Sequence, residues 1–356
     1  MPNAVLTRAI DALASRTDLS ADQSAEVLAE IMHGEASETQ IGAFLIALRT
    51  KGETVEEIAG LARTMRSLAA HVPIDRDDLL DTAGTGGGSG SFNVSTTAAL
   101  IAAGAGCAVA KHGNRSATSR SGSADLLEAL GARIDVAPAG VAACIEEAGF
   151  GFMFAPNHHQ ATRFVIPVRR ELAVRTIFNL LGPLTNPAGA RRQLVGVSDP
   201  GFLDTMAGAL AVLGVDRALL VSGEDGLDEV SATAPTRIVE VNGQDVRSYV
   251  LTPAEAGIAD EEPASAVPVA GGTPAENAAV TRAILEPADA RGPRAPGEAL
   301  ALINAGAAIY TAGRTETIAE GVELARAALA DGRAAEALER FIQASLRHAP
   351  AGEPGA

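Results

Sequence analysis

The chain has no tryptophan and only two tyrosines, and aromatic residues make up 3% of it. Hydrophobic residues still reach 47%, so a sizeable core must be built from Ala, Val, Leu and Ile. Cysteine is as scarce: Cys107 and Cys144 are isolated, each beside a small residue. Two such cysteines make neither a disulfide framework nor a zinc set. They read as small buried residues of a reduced, cytoplasmic protein. Positive charge is also short, with 28 Lys and Arg against 44 Asp and Glu and a net charge of −16. That argues against nucleic-acid and anionic-membrane partners, which call for a basic surface. A phosphate site here would need local positive potential. Long apolar runs are missing too. Arg8, Asp11, Arg16, Asp18 and Asp22 leave no signal-peptide core in the first thirty residues. The longest uncharged run, 96–110, falls short of the roughly 20 residues of a spanning helix. A soluble protein is expected.

At 356 residues, two domains are expected. The first seventy residues read as helices. Ser20 with Gln23, Ser37 with Gln40 and Thr54 with Glu57 fit the capping-box pattern, each followed by an amphipathic run. From Leu79 short apolar runs alternate with helical patterns. Strand-like runs fall at 79–80, 107–110, 134–136, 151–154, 193–197 and 218–221, and helices at 97–103, 124–130, 140–148 and 203–213. This alternation predicts a parallel sheet flanked by helices on both faces. Residues 238–251 read as a hairpin on a type I′ turn at Asn242-Gly243. Residues 258–274 read as a loop, Thr273-Pro274 as a capped helix start, and 299–347 as terminal helices. A helix over 168–180 fits the helical unit better than the sheet. The expected domains are a small all-α domain of residues 1–72 plus about 164–186 and a large α/β domain of 73–163 plus 187–347. A disordered tail at 348–356 follows.

Four segments carry candidate chemistry. The first is "DTAGTGGGSGSFNVST", residues 81–96, with five glycines and no basic residue. It lacks the Gly-Lys pair of a Walker loop and fails the dinucleotide spacing at every glycine. What remains is strand, glycine loop and the capping residues Asn93, Ser95 and Thr96 at a helix start. Free N–H groups, a positive dipole end and hydroxyls suffice for a phosphate site without lysine. The second follows another strand and supplies the missing cations, Lys111, Arg115 and Arg120, among serines. The third holds Glu224, Asp225, Asp228 and Glu229 after a strand, where carboxylates beside a phosphate site suit Mg²⁺. The fourth is basic, with His158, His159, Arg163, Arg169, Arg170 and Arg175. Its arginines suit a carboxylate. Neighbouring histidines on a strand would face opposite ways, which makes poor metal evidence.

"GTGG", "NVST", "KHGNRS", "SGSADLLEALG", "VRRELAVRTIFNLLGPLTNPA", "GLDEVS" and "GGTPAENA" stand in one order. In that order the chain resembles the anthranilate phosphoribosyltransferase family from about Glu30 to Phe341. The resemblance implies an α/β fold of nucleoside phosphorylase/phosphoribosyltransferase type, with a small helical domain through which a homodimer forms. It implies transfer of phosphoribose from phosphoribosyl pyrophosphate to anthranilate, with two Mg²⁺ ions per subunit, in tryptophan biosynthesis. Carried over, Gly84, Gly87, Gly88, Ser91, Asn93, Ser95 and Thr96 would line the phosphoribosyl pyrophosphate site. Lys111, His112, Gly113, Asn114, Arg115, Ser116, Ala117, Thr118, Ser119 and Ser123 would close over it. Ser95, Asp228 and Glu229 would hold metal, while Gly84, Asn114, His159 and Arg169 would meet anthranilate, Arg169 on its carboxylate. Gly88 departs from the family's usual Asp. No residue is expected to act as acid or base. Lys111 and Arg169 act electrostatically, and His112 reads as structural. Hinges are expected near residues 70–80 and 180–190. The rival enzyme is a pyrimidine nucleoside phosphorylase of the same fold, and the rival class a non-catalytic nucleic-acid-binding relative.

Overall fold

The computed structural model describes residues 2–87, 90–116, 119–258, 269–287 and 295–350. Gly88, Ala117, Thr118, most of the expected 258–274 loop and most of the expected tail lie outside them.

Helices α1 (Ala4–Ala14), α2 (Ala21–His33), α3 (Glu38–Lys51) and α4 (Val55–Ser67) form the N-terminal bundle. Capping boxes close at Ser20 with Gln23 and at Thr54 with Glu57. At Ser37 only half of the box forms. The Gln40 amide instead donates to the Asn3 carbonyl and accepts from its N–H, which ties α3 to the start of α1.

The sheet contains β1 (Leu79–Gly84), β2 (Ala108–Gly113), β3 (Phe150–Phe154), β4 (Arg192–Gly196), β5 (Arg217–Gly223), β6 (Thr236–Asn242) and β7 (Asp245–Leu251). Its order is β3-β2-β1-β4-β5-β6-β7. The first five strands run parallel, and β6 and β7 continue antiparallel. Crossovers and cover come from α5 (Val94–Gly104), α6 (Ser123–Ala129), α7 (Pro138–Ala148), α8 (Ala155–His158), α9 (Ile166–Leu172), α10 (Phe178–Leu181) and α11 (Leu203–Val212). Helices α12 (Pro274–Leu285), α13 (Glu298–Thr311), α14 (Ile318–Ala330) and α15 (Arg333–His348) complete it.

The shortage of aromatics is met by close helix contact. Every residue of α13 is buried. A Cβ at Gly321 would lie 2.3 Å from the Gly306 carbonyl oxygen, so α13 and α14 touch backbone to backbone. The bundle core (Leu28, Phe44, Leu61) continues through Phe178 and Leu181 onto α11 and the face of β5 and β6 beneath it.

Three local expectations fail. Residues 134–136 form no strand: β1 and β3 take both edges of β2, and Ile134 and Val136 are buried from irregular chain. The hairpin turns at Gly243-Gln244, because Asn242 still pairs with Asp245. Only Gly243 has positive φ, the Gly-first arrangement of a type II′ turn. The helix expected over 168–180 breaks in two. Ala173 closes α9 in the left-handed region at φ 52°, and the Thr176 N–H donates to Asn179 Oδ1, starting a new turn.

Candidate active site

Strand order reverses between β1 and β4, because the chain leaves β1 towards β2 and β3 and returns on the other side to β4. In parallel sheets a crevice opens at the carboxyl ends on either side of such a point. Here a cavity of about 430 Å³ lies at that place, floored by the ends of β1 and β2 and roofed by α9 and α10.

The glycine loop leads from β1 into α5. Asn93 precedes α5 but makes no capping bond to it. Its amide group is spent elsewhere: Oδ1 accepts from Ser121 Oγ (3.1 Å) and Asn277 Nδ2 (2.8 Å), and Nδ2 donates to the Ser121 carbonyl. Asn93 thus knots together the loops before α5 and α6 and the first turns of α12. The first turn of α5 keeps N–H groups with no side-chain cap, facing the cavity with the positive end of the helix dipole. Thr96 Oγ1 is buried there without a partner among the described residues. Gly84 and Gly87 line the cavity, whereas Ser91 does not: it bridges to Ala270 and its hydroxyl donates to the Phe92 carbonyl.

Lys111 stands at the end of β2, fully buried. Its Nζ donates to the Thr82 carbonyl, to Thr82 Oγ1 (3.1 Å) and to Ser95 Oγ (3.4 Å). Burial lowers its pKa to about 8, against the opposing pull of Asp81 and Glu229. Asp81, raised to about 6 by burial, accepts from the His112 N–H (3.0 Å) and Asn186 Nδ2 (2.7 Å). Neither Asp81 nor Asn186 stands out in the sequence, since the bond between them spans 105 residues.

The expected cluster after β2 divides. Gly113, Asn114, Ser116, Ser119 and Ser123 line the cavity. Arg115 also borders it, but its guanidinium is held by Asp125 (2.8 Å) and by both oxygens of Glu128. Arg120 lies near Glu276 at 3.5 Å.

The acidic pair follows β5. Gly196 makes its position possible, since a Cβ there would lie 1.8 Å from the Asp228 carbonyl oxygen. Asp228 Oδ2 comes within 3.5 Å of where a Gly84 Cβ would sit, at the root of the glycine loop. Burial raises the pKa of both carboxyls, and for Glu229 the neighbouring Asp228 raises it further. Neither forms an ion pair among the described residues, and no set of three acidic, His or Cys residues gathers into a metal cluster there. Two carboxylates without an ion-pair partner among the described residues and the Ser95 hydroxyl fit a Mg²⁺ that takes its other oxygens from water and phosphate.

From the helical side, Arg169 on α9 reaches the cavity. Its guanidinium stacks over Phe178 at 5.4 Å and has no carboxylate partner among the described residues. Burial lowers its pKa. A desolvated, unpaired guanidinium is a ready receptor for a planar carboxylate.

His112, His158 and His159 are buried together, with the rings of His112 and His159 5.1 Å apart. His112 Nδ1 donates to the Gly182 carbonyl (3.2 Å) and His158 Nδ1 to the Ala70 carbonyl (2.7 Å). Both carbonyls lie in segments that join the bundle to the sheet. The Nε2 atoms of all three lack partners among the described residues. His159 stands behind His112 rather than in the cavity lining. Burial pushes His112 down to about 3 and His159 to about 4. Each binds fewer protons folded than unfolded between that value and about 6.5, so each contributes stability that is lost as pH falls through that window. Asp81, raised to about 6, works in the opposite sense between 3.8 and 6. The ¹⁵N shifts of the His112 and His159 rings should therefore stay those of neutral, Nδ1-protonated imidazole at pH 5; an imidazolium signal from either would contradict this environment.

A cavity at the carboxyl ends of a parallel sheet, with an uncapped helix start and an acidic pair on one side and an arginine from the helical side on the other, has the form of a two-substrate transferase site. Residues 76–335 match the model of the glycosyl transferase family α/β domain, and residues 7–69 that of its helical bundle domain. The anthranilate phosphoribosyltransferase of Rubrobacter xylanophilus is 50% identical over 349 residues, covering 98% of this chain and all of that one. The crystal structure of the Thermus thermophilus enzyme of that name superposes with TM-score 0.86 at 46% identity, over 95% of this chain and 99% of that one. The Saccharomyces cerevisiae enzyme in complex with phosphoribosyl pyrophosphate and Mg gives 0.83 at 28%, over 97% and 99%. Its complex with 4-fluoroanthranilate gives 0.83 at 26%, over 96% and 98%. The chain belongs to the anthranilate phosphoribosyltransferase family. The nucleoside phosphorylase and the nucleic-acid-binding relative are set aside.

Proposed function

We propose that the protein transfers the 5-phosphoribosyl group of phosphoribosyl pyrophosphate to the amine of anthranilate, releasing pyrophosphate, as a step of tryptophan biosynthesis. The observation that carries this reading is the placement of Arg169. An unpaired guanidinium on the helical side faces an acidic pair and an uncapped helix start on the sheet side of one cavity.

The phosphates lie on the first turn of α5, on Thr96 and on the glycine loop, with Ser116, Ser119 and Ser123 closing from β2. Ser95, Asp228 and Glu229 would hold Mg²⁺, and two adjacent carboxylates suit a pair of ions. When bound, Mg²⁺ neutralises charge that builds on the leaving pyrophosphate. Lys111 adds positive charge at the same end. Arg169 takes the anthranilate carboxylate and so aims the amine at C1 of the ribose. As the C–N bond forms, the C1–O bond to pyrophosphate breaks. The nitrogen then loses its proton, so no strong base is required before attack. His112 is a poor base, because burial pushes its pKa down to about 3, and its Nδ1–H on Gly182 serves to hold the chain.

Incubation with phosphoribosyl pyrophosphate, Mg²⁺ and anthranilate should quench anthranilate fluorescence and release one pyrophosphate per anthranilate lost. No loss of fluorescence would refute the reading.

The same reading includes a cytoplasmic protein and a homodimer through the helical bundle. Among the described residues no helix is long and apolar enough to cross a membrane. Ile46 on α3, Ile166 on α9 and Val174 beside it are exposed apolar side chains of that bundle. Light scattering should give twice the chain mass of 36.1 kDa, falling when Ile46 and Val174 are both changed to Asp. A monomeric wild type would exclude the dimer.

A further inference from the structure

The glycine loop contains no cation of its own, and another segment reaches over to supply one. Gly86 and Gly87 both have positive φ, at 66° and 85°. Side-chain-free residues in that region lose the most backbone freedom when ordered, so the loop needs something to fix it. Before them, Thr85 is tied to β4 through its N–H to the Gly196 carbonyl and its hydroxyl to Ser198. For Gly86 and Gly87 themselves, the only hydrogen bond among the described residues comes from the helical side. Arg175 Nη2 donates to the Gly86 carbonyl at 3.2 Å. A Cβ at Gly87 would lie 3.1 Å from Arg175 Nη1, so the guanidinium lies along the loop and glycine leaves it room. The backbone of Arg175 is fixed in turn, because Arg49 Nη1 on α3 donates to the Arg175 carbonyl at 2.8 Å. Arg175 sits in the stretch between α9 and α10, six residues after Arg169.

We propose that Arg175 is a positioning residue for the phosphorylated donor: it clamps the Gly86-Gly87 peptide from the stretch between α9 and α10 and so holds the loop in the shape the donor needs. A peptide plane is rigid and trans, so a donor held on the Gly86 carbonyl also fixes the direction of the Gly87 N–H on the opposite side. Gly87 lines the cavity, so that N–H is one of the groups a phosphate meets. The guanidinium adds positive charge beside a loop that has none.

The inference rests on the transferase reading and is tested separately from it. If wild-type protein does not consume anthranilate, the reading itself fails. If it does, steady-state kinetics of Arg175→Ala, Arg175→Lys and Arg49→Ala decide the proposal. Arg175→Ala should raise the KM for phosphoribosyl pyrophosphate about tenfold or more, while the KM for anthranilate at saturating donor changes about twofold or less. Arg175→Lys keeps one donor for the Gly86 carbonyl and should recover part of the loss. Arg49→Ala should shift the donor KM in the same direction by less, and add nothing in an Arg175→Ala background. A merely structural arginine would lower thermal stability and affect both substrates alike. Unchanged donor KM in Arg175→Ala, equal effects on both substrates, or additive effects of the two changes would overturn the proposal. Should Arg175→Ala not fold, Arg175→Lys and Arg49→Ala still decide: wild-type donor KM in both would overturn it, and a selective rise would support it.

Discussion

Changing Asp228 to Asn and Glu229 to Gln together is expected to lower turnover at limiting Mg²⁺ by about 100-fold or more, since even indirect metal partners cost 10–100-fold. The same double variant should be no less stable than wild type in the absence of metal. Both residues are half-buried at the cavity wall, and neither has a cation within ion-pairing distance among the described residues. Glu229 is raised well above its ordinary value, first by burial and then by Asp228. A raised carboxyl contributes most below its unfolded value, and that contribution is lost as pH rises through the folded value. Gln at 229 keeps the neutral shape at all pH, so the gain in thermal midpoint should be greatest at neutral pH and above. Initial rates against Mg²⁺ and melting curves with EDTA check both halves. An unchanged Mg²⁺ dependence would remove the pair from the metal site, and a large loss of stability would mean that it holds the fold instead.

Arg169→Ala should raise the anthranilate KM by about 10–100-fold, the range of a charge-assisted bidentate contact, and move the donor KM far less. Arg169 is half-buried, stacks over Phe178 and has no acidic partner among the described residues to be stranded by its removal, so the loss falls on the ligand. Arg169→Lys should recover little, because an ammonium cannot match a carboxylate in two places or stack as a guanidinium does. Steady-state kinetics with each substrate varied in turn measures this. Equal increases in both constants would take Arg169 off the acceptor.

What the sequence made legible was local or periodic. Two capping boxes, the β/α alternation and the acidic pair after β5 all follow from neighbours within a few residues. The glycine loop reads in the sequence as a candidate anion site, and the structure puts Gly84, Gly86 and Gly87 in the cavity lining. The roles inside the site were harder to read. Asn93 has the composition of a helix cap, but its partners are 28 and 184 residues away, and they take the cap from α5. Arg115 looks like a phosphate cation, but Asp125 and Glu128, on the next helix, hold it instead. The break in the helix expected over 168–180 depends on Ala173 in the left-handed region and on Arg49 from α3, neither of which periodicity can register. That break is what frees Arg175 to reach the glycine loop. Of the buried histidines, the sequence offered His112 as structural and, through the resemblance, His159 as an anthranilate contact, yet His159 stands outside the cavity lining. That they brace the segments joining the two parts of the molecule emerges only when Ala70 and Gly182 come together with them.

The central claim is that one cavity joins a donor held on the sheet to a carboxylate held from the helices. It is tested most directly by comparing anthranilate with aniline, which keeps the amine and lacks the carboxylate, as acceptors for wild type and Arg169→Ala. Wild type should prefer anthranilate strongly in kcat/KM, and that preference should shrink at least about tenfold in Arg169→Ala, the loss of a contact of about 1.4 kcal/mol or more. The same preference in both proteins would contradict the account.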